Sequence, residues 1–128
     1  MAEGAAVQTE GRITAMLAAV SAALAVAAAA FGAHAAPSPQ VAEWLQTGGH
    51  YQLAHAIAAL VLLRWPGQVR AVRLLLAGSC LFAATLYAMA LGAPRWLGAV
   101  TPVGGSLMIA GWLWAAWTLR REAGRPAD

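Results

Sequence analysis

A chain of 128 residues with 61% hydrophobic and only 10% charged residues is too apolar for an ordinary soluble domain. Its net charge of +3 comes from eight arginines and no lysine, and these are scattered over several flanks, which excludes the basic stripe of a nucleic-acid-binding protein. With one cysteine, Cys80, no internal disulfide can form; inside a hydrophobic segment its thiol is expected to be buried and to act as a small apolar group.

Residues 1–12 are small and polar and read as a mobile cytoplasmic tail. Ile13–Ala33 is free of charge and dominated by alanine, so it predicts a helix packed closely among neighbours. An apolar run ending in Ala33-His34-Ala35 also resembles a signal peptide. The run is longer than such cores usually are, however, and Glu3 and Glu10 precede it, so an uncleaved helix is expected. Ser38-Pro39 is a helix start, with serine as cap and proline at the first helical position. Val41, Trp44 and Leu45 follow at helical spacing, predicting a short amphipathic stretch on the membrane surface before the second span. Thr47-Gly48-Gly49 marks a bend as the chain turns inward.

His50–Leu63 is short for a crossing, about 21 Å of helix, and must borrow residues on either side before Pro66-Gly67 ends it. Leu74–Leu91 is the third hydrophobic segment, and Gly92-Ala93-Pro94 turns the chain. Trp96–Leu119 is the fourth, with Pro102 and Gly104-Gly105 near its start and Trp112, Trp114 and Trp117 towards its end. A bilayer core of about 30 Å takes about 20 helical residues per crossing, so four crossings leave no room for a soluble domain. The fold expected is all-α: an integral membrane four-helix bundle with spans near residues 13–33, 48–65, 73–92 and 99–119.

The arginines orient the bundle. If the N-terminus is inside, Arg12, Arg64, Arg70, Arg73, Arg120, Arg121 and Arg125 all fall on the inner side, leaving only Arg95 outside. Basic residues are retained in the cytoplasm, so both termini are expected there. The same arginines would attract anionic inner-leaflet lipid.

Polar side chains within spans are costly and mark function or packing. Here they gather, on this topology, at the outer half: His34, His50, Tyr51, Gln52, His55, Arg95, Thr101 and Pro102, with Ser106 nearby. Gln52 and His55 are three apart and share a helix face. His50 and His55 are five apart, which is not the spacing of a zinc-binding pair, so no metal or cofactor is expected. Arg95 is expected to pair at the surface with Glu43, the one outer acidic residue, or, if buried, to contact helix-end carbonyls or a lipid phosphate. No nucleophile elbow, phosphate loop, carboxylate pair or cysteine cluster is present, and no acidic residue lies inside a span, so no enzymatic activity is expected.

Ala30-Phe31-Gly32-Ala33-His34-Ala35, Thr47-Gly48, Tyr51-Gln52, His55-Ala56, Arg95-Trp96-Leu97-Gly98-Ala99, Thr101-Pro102, Gly104-Gly105 and Gly111-Trp112 form an ordered series. It resembles the family called domain of unknown function 423, the YgdD/YwdK-like small bacterial membrane proteins, which have a transmembrane relative in animals. The resemblance covers roughly residues 13–118, departing in Phe82–Tyr87, where a serine- and glycine-containing core is common. It implies a four-span inner-membrane protein and places emphasis on His34, Tyr51, Gln52, His55, Arg95, Thr101 and Pro102.

The function expected is non-enzymatic: an accessory or assembly partner of a larger membrane complex, or a lipid-packing element, with membrane lipids, other subunits or further copies as partners. An oligomeric small-solute transporter or channel past Gln52 and His55 is the first alternative. A haem- or quinone-associated redox subunit using His34, His50 or His55 is the second.

Overall fold

The computed structural model describes residues 1–124, and they form four α-helices with no strand among them. Arg125 and the rest of the C-terminal tail lie outside the described residues. The helices are α1 (Ala2–His34), α2 (Pro39–Leu62), α3 (Val69–Ala90) and α4 (Thr101–Ala123), the last preceded by a short 3-10 helix, Arg95–Ala99. Among the described residues, three segments are long and apolar enough to cross a membrane: α1, α3, and α4 with its 3-10 lead.

The N-terminal segment is helix rather than loose tail. From Ala2 onward nothing breaks the alanine-rich run, and α1 reaches 33 residues, about 50 Å. Glu10 on this extension pairs with Arg73 of α3 at 3.1 Å. At the start of α2, Ser38 Oγ accepts from the Val41 amide at 3.3 Å with Pro39 first in the helix, as the sequence signals.

The separate amphipathic stretch and the bend at Thr47-Gly48-Gly49 do not form; α2 runs unbroken through both glycines. Their helix penalty is offset by packing. A Cβ on Gly48 would stand 2.7 Å from the Tyr87 ring, and one on Gly49 would stand 2.8 Å from the Ala25 carbonyl. The glycines therefore let α3 and α1 approach α2 closely. The helix also ends at Leu62, before the expected limit near residue 65, and Gly67 at φ 75° turns the chain into α3.

Consecutive helices pack on one another, α1 on α2, α2 on α3 and α3 on α4, with a lesser contact between α1 and α3. The α3–α4 contact is backbone on backbone, because Gly78 and Gly104 face each other. Leu75, Val72, Ala71, Ala59, Ala18 and Ala115 are buried together between the helices. Large apolar side chains on α1 and α4, including Leu17, Val20, Leu24, Ile109 and Leu113, are exposed.

Candidate functional site

Three polar contacts hold the helices, and each starts from a buried residue of the expected group. Gln52 of α2 is 4% exposed and is the hub of the first. Tyr87 of α3 donates its hydroxyl to Gln52 Oε1 at 2.7 Å, and Gln52 Nε2 donates to Ser21 Oγ of α1 at 3.0 Å. Ser21 in turn meets Cys80 Sγ at 3.6 Å. One amide thus ties three helices.

His55 makes the second contact, to α4. Its Nδ1 is 2.7 Å from the Tyr51 carbonyl, one turn earlier, and its Nε2 is 3.2 Å from the indole nitrogen of Trp112 on α4. A carbonyl only accepts and an indole N–H only donates, so Nδ1 carries the proton and Nε2 accepts. Both ring nitrogens are engaged. Around them Tyr51 stacks parallel to His55 at 6.2 Å, and Phe82 of α3 leans on Tyr51 at 4.7 Å.

Thr101 makes the third. Thr85 and Thr101 share a hydroxyl–hydroxyl hydrogen bond across the α3–α4 contact at 2.7 Å, and each hydroxyl also faces a carbonyl, Phe82 at 2.8 Å for Thr85 and Leu97 at 3.5 Å for Thr101. A fourth pairing lies at the opposite end: Gln68, fully buried in the turn before α3, donates from Nε2 to Thr118 Oγ1 of α4 at 2.7 Å. Its Oε1 is buried without a partner.

The expected convergence of eight residues is therefore resolved into separate contacts. Gln52, His55 and Thr101 are buried, but they serve different helix pairs. Gln52 and His55, three residues apart on α2, meet different helices. His34, His50, Tyr51, Arg95 and Pro102 are exposed. Arg95 does not pair with Glu43: its guanidinium lies over the Trp44 ring at 5.7 Å, and Glu43 accepts instead from Gln40 at 3.3 Å. Ser106 is exposed, with its hydroxyl turned back to the Pro102 carbonyl. Cys80 is exposed rather than buried. Among the described residues, no three His, Cys, Asp or Glu side chains come together as metal ligands do.

Several partners were not singled out by sequence reasoning: Ser21, Tyr87, Thr85, Trp112, Gln68 and Thr118. Ser21 was the one legible in principle, as a lone hydroxyl within an alanine stretch. Trp112 reads as an interfacial aromatic, and nothing local shows that its N–H meets an imidazole. The arginines do gather as their sequence positions imply. Arg12 and Arg64 line a cleft beside Gly67, Arg120 and Arg121 line another on its far side, and Arg70 and Arg73 begin α3.

Long apolar helices, polar groups sealed between them and cations collected at one end define the class: this is a small helical membrane protein. The chain belongs to the family described as "Protein of unknown function (DUF423)", whose model matches residues 28–105. It is similar to the UPF0382 inner membrane protein YgdD of Escherichia coli, at 37% identity over 115 residues covering 79% of this chain and 84% of that protein. It is also similar to the UPF0382 membrane protein SSP2132 of Staphylococcus saprophyticus, at 34% identity over 111 residues covering 77% and 88% of the two chains. No solved structure matches it.

Proposed function

We propose that this protein is a four-span bundle of the bacterial inner membrane, with both termini in the cytoplasm, that has no chemistry of its own and acts as an accessory or assembly partner of other membrane components. The carrying observation is where its polar groups are spent. Gln52, His55 and Thr101, the buried members of the expected site, are each consumed by side chains of neighbouring helices. Such contacts fix helix packing and engage the buried polar groups that could otherwise address a ligand.

The fourth crossing is α2. Its 24 residues reach about 36 Å, enough for the hydrocarbon core. Its lower apolarity comes from residues such as Gln52 and His55 that other helices cover, so they carry a reduced penalty in lipid. The exposed apolar faces of α1 and α4 are left for lipid or for neighbouring subunits. Engagement of both His55 nitrogens counts against a haem ligand there, and the bonded state of Gln52 and His55 counts against a solute path between them.

The test is proximity crosslinking from the full chain in cells, paired with purification in mild detergent. Recovery of a reproducible membrane partner is expected. A monodisperse monomer with no recovered partner refutes the assignment.

A further inference from the structure

Between α1 and α4, one face of α3 is left uncovered, and two furrows run along it. The first lies between α1 and α3, in two segments of about 430 and 320 Å³ that share Leu17, Leu76 and Ala77. Arg73 and Glu10 stand at its arginine-rich end, and Cys80 lies near the other. The second, about 430 Å³, lies between α3 and α4, walled by Leu74, Ala77 and Trp114, with Arg70 and Arg73 at its mouth. Arg73 and Ala77 border both, so beyond the Arg73 side chain the ridge dividing the furrows is the Ala77 methyl.

We propose that this face seats one two-chain phospholipid, its phosphodiester on Arg70 and Arg73 and its acyl chains lying astride Ala77. The inference rests on the membrane reading above and adds a ligand class and a place to it. Arg70 and Arg73 are three residues apart, hence on one face of α3, and both are exposed at the start of the helix. Guanidinium groups hydrogen-bond phosphate oxygens with charge assistance. Glu10 is the one carboxylate at the mouth, and its pairing with Arg73 is exposed on both sides and so weakly held. Two guanidiniums and one carboxylate leave a single positive charge, which a monoanionic phosphodiester balances. From that point both furrows lead away from the arginines along walls that are almost wholly apolar, as acyl chains require.

Arg120 and Arg121 supply an internal contrast. Arg121 lies over the Trp117 ring at 4.3 Å, and the cleft beside the pair is lined by Thr118, Glu122 and glycines rather than by an aliphatic channel. They share the end of the molecule but not the furrows.

The full chain is purified in non-ionic detergent, mixed with dioleoylphosphatidylglycerol, and examined by native mass spectrometry for a single retained lipid. Dioleoylphosphatidylcholine, with the same chains but no net charge, and soluble glycerol phosphate are run beside it. Retention of one phosphatidylglycerol, in preference to phosphatidylcholine and without competition from glycerol phosphate, is expected. Arg70→Gln with Arg73→Gln should weaken retention about tenfold. Ala77→Phe keeps both guanidiniums but fills the furrows, and should weaken it comparably with circular dichroism unchanged. Arg120→Gln with Arg121→Gln should leave it within about twofold. Equal loss from the two arginine pairs would show diffuse attraction and overturn the proposal. So would unaltered retention by Ala77→Phe, equal retention of both lipids, or displacement by glycerol phosphate. Failure of the membrane reading has a separate signature, the chain appearing in the soluble fraction of lysed cells before any lipid is added.

Discussion

Gly104 and Gly105 are consecutive residues near the start of α4, yet alanine at the two should have opposite effects. A Cβ on Gly104 would stand 2.6 Å from both the Gly78 carbonyl oxygen and the Phe82 amide nitrogen, and 2.9 Å from the Phe82 Cα. All three are backbone atoms of α3 and cannot rotate aside. Ordinary contact begins near 3.4 Å, so α4 must withdraw by about 0.8 Å along that line. Overpacking of this kind costs about 1–3 kcal/mol. The same withdrawal stretches the 2.7 Å Thr85–Thr101 hydrogen bond beyond good hydroxyl geometry, at a further cost of about 0.6 kcal/mol. Against this stands a gain in helix propensity of at most about 1 kcal/mol. Gly104→Ala should therefore destabilise the bundle by about 2 kcal/mol. Gly105 has nothing within 4 Å of its ideal Cβ, so Gly105→Ala should be neutral or stabilising by up to about 1 kcal/mol. Unfolding in mixed micelles of mild detergent and dodecyl sulfate, followed by far-ultraviolet circular dichroism, compares the two directly. If the variants unfold together, or Gly104→Ala unfolds later, the backbone contact between α3 and α4 does not exist as described.

Gln52→Leu should destabilise by about 0.6–1.7 kcal/mol in the same assay, and Tyr87→Phe added to it should cost nothing more, since the hydroxyl has already lost its acceptor. Trp112→Phe removes the donor to His55 while keeping a ring in place. A loss of about 0.6 kcal/mol is expected, and it should vanish in a His55→Leu background if that bond is its source. A nitroxide on Cys80, the chain's sole thiol, should collide in proteoliposomes with molecular oxygen far more often than with a polar nickel chelate; the reverse would place it outside the hydrocarbon. Reporter fusions at the turn between α2 and α3 and at the C-terminus should give fluorescent cytoplasmic fusions and inactive alkaline phosphatase. Active phosphatase at either site would invert the orientation.

The sequence by itself determined what depends on short stretches of chain: helix content, the Ser38-Pro39 start, the turn at Pro66-Gly67, and the gathering of arginines at one end. Alternating helices must place Arg12, Arg64, Arg70, Arg73, Arg120 and Arg121 together whatever their exact packing. The ordered motif series from Ala30 to Trp112 carried the family resemblance. Local rules failed where a neighbouring helix outweighed them. Gly48-Gly49 reads as a bend, but the Tyr87 ring and the α1 backbone occupy the space a side chain would need, and α2 stays helical through them. The N-terminal residues read as a tail, but continuous helix carries Glu10 to Arg73.

The polar group shows the same division. That Gln52, His55 and Thr101 sit within hydrophobic segments is visible residue by residue, and so is the cost of leaving them unpaired there. Which partner each one finds is set by how the helices are rotated about their axes and how closely they approach. Gln52 bonds residues 31 and 35 positions away, and Trp112 reaches His55 across 57. Only the tertiary structure decided that these residues are helix ties facing different neighbours, because hydrogen-bond geometry depends on ångström-scale distances between segments that no local pattern encodes.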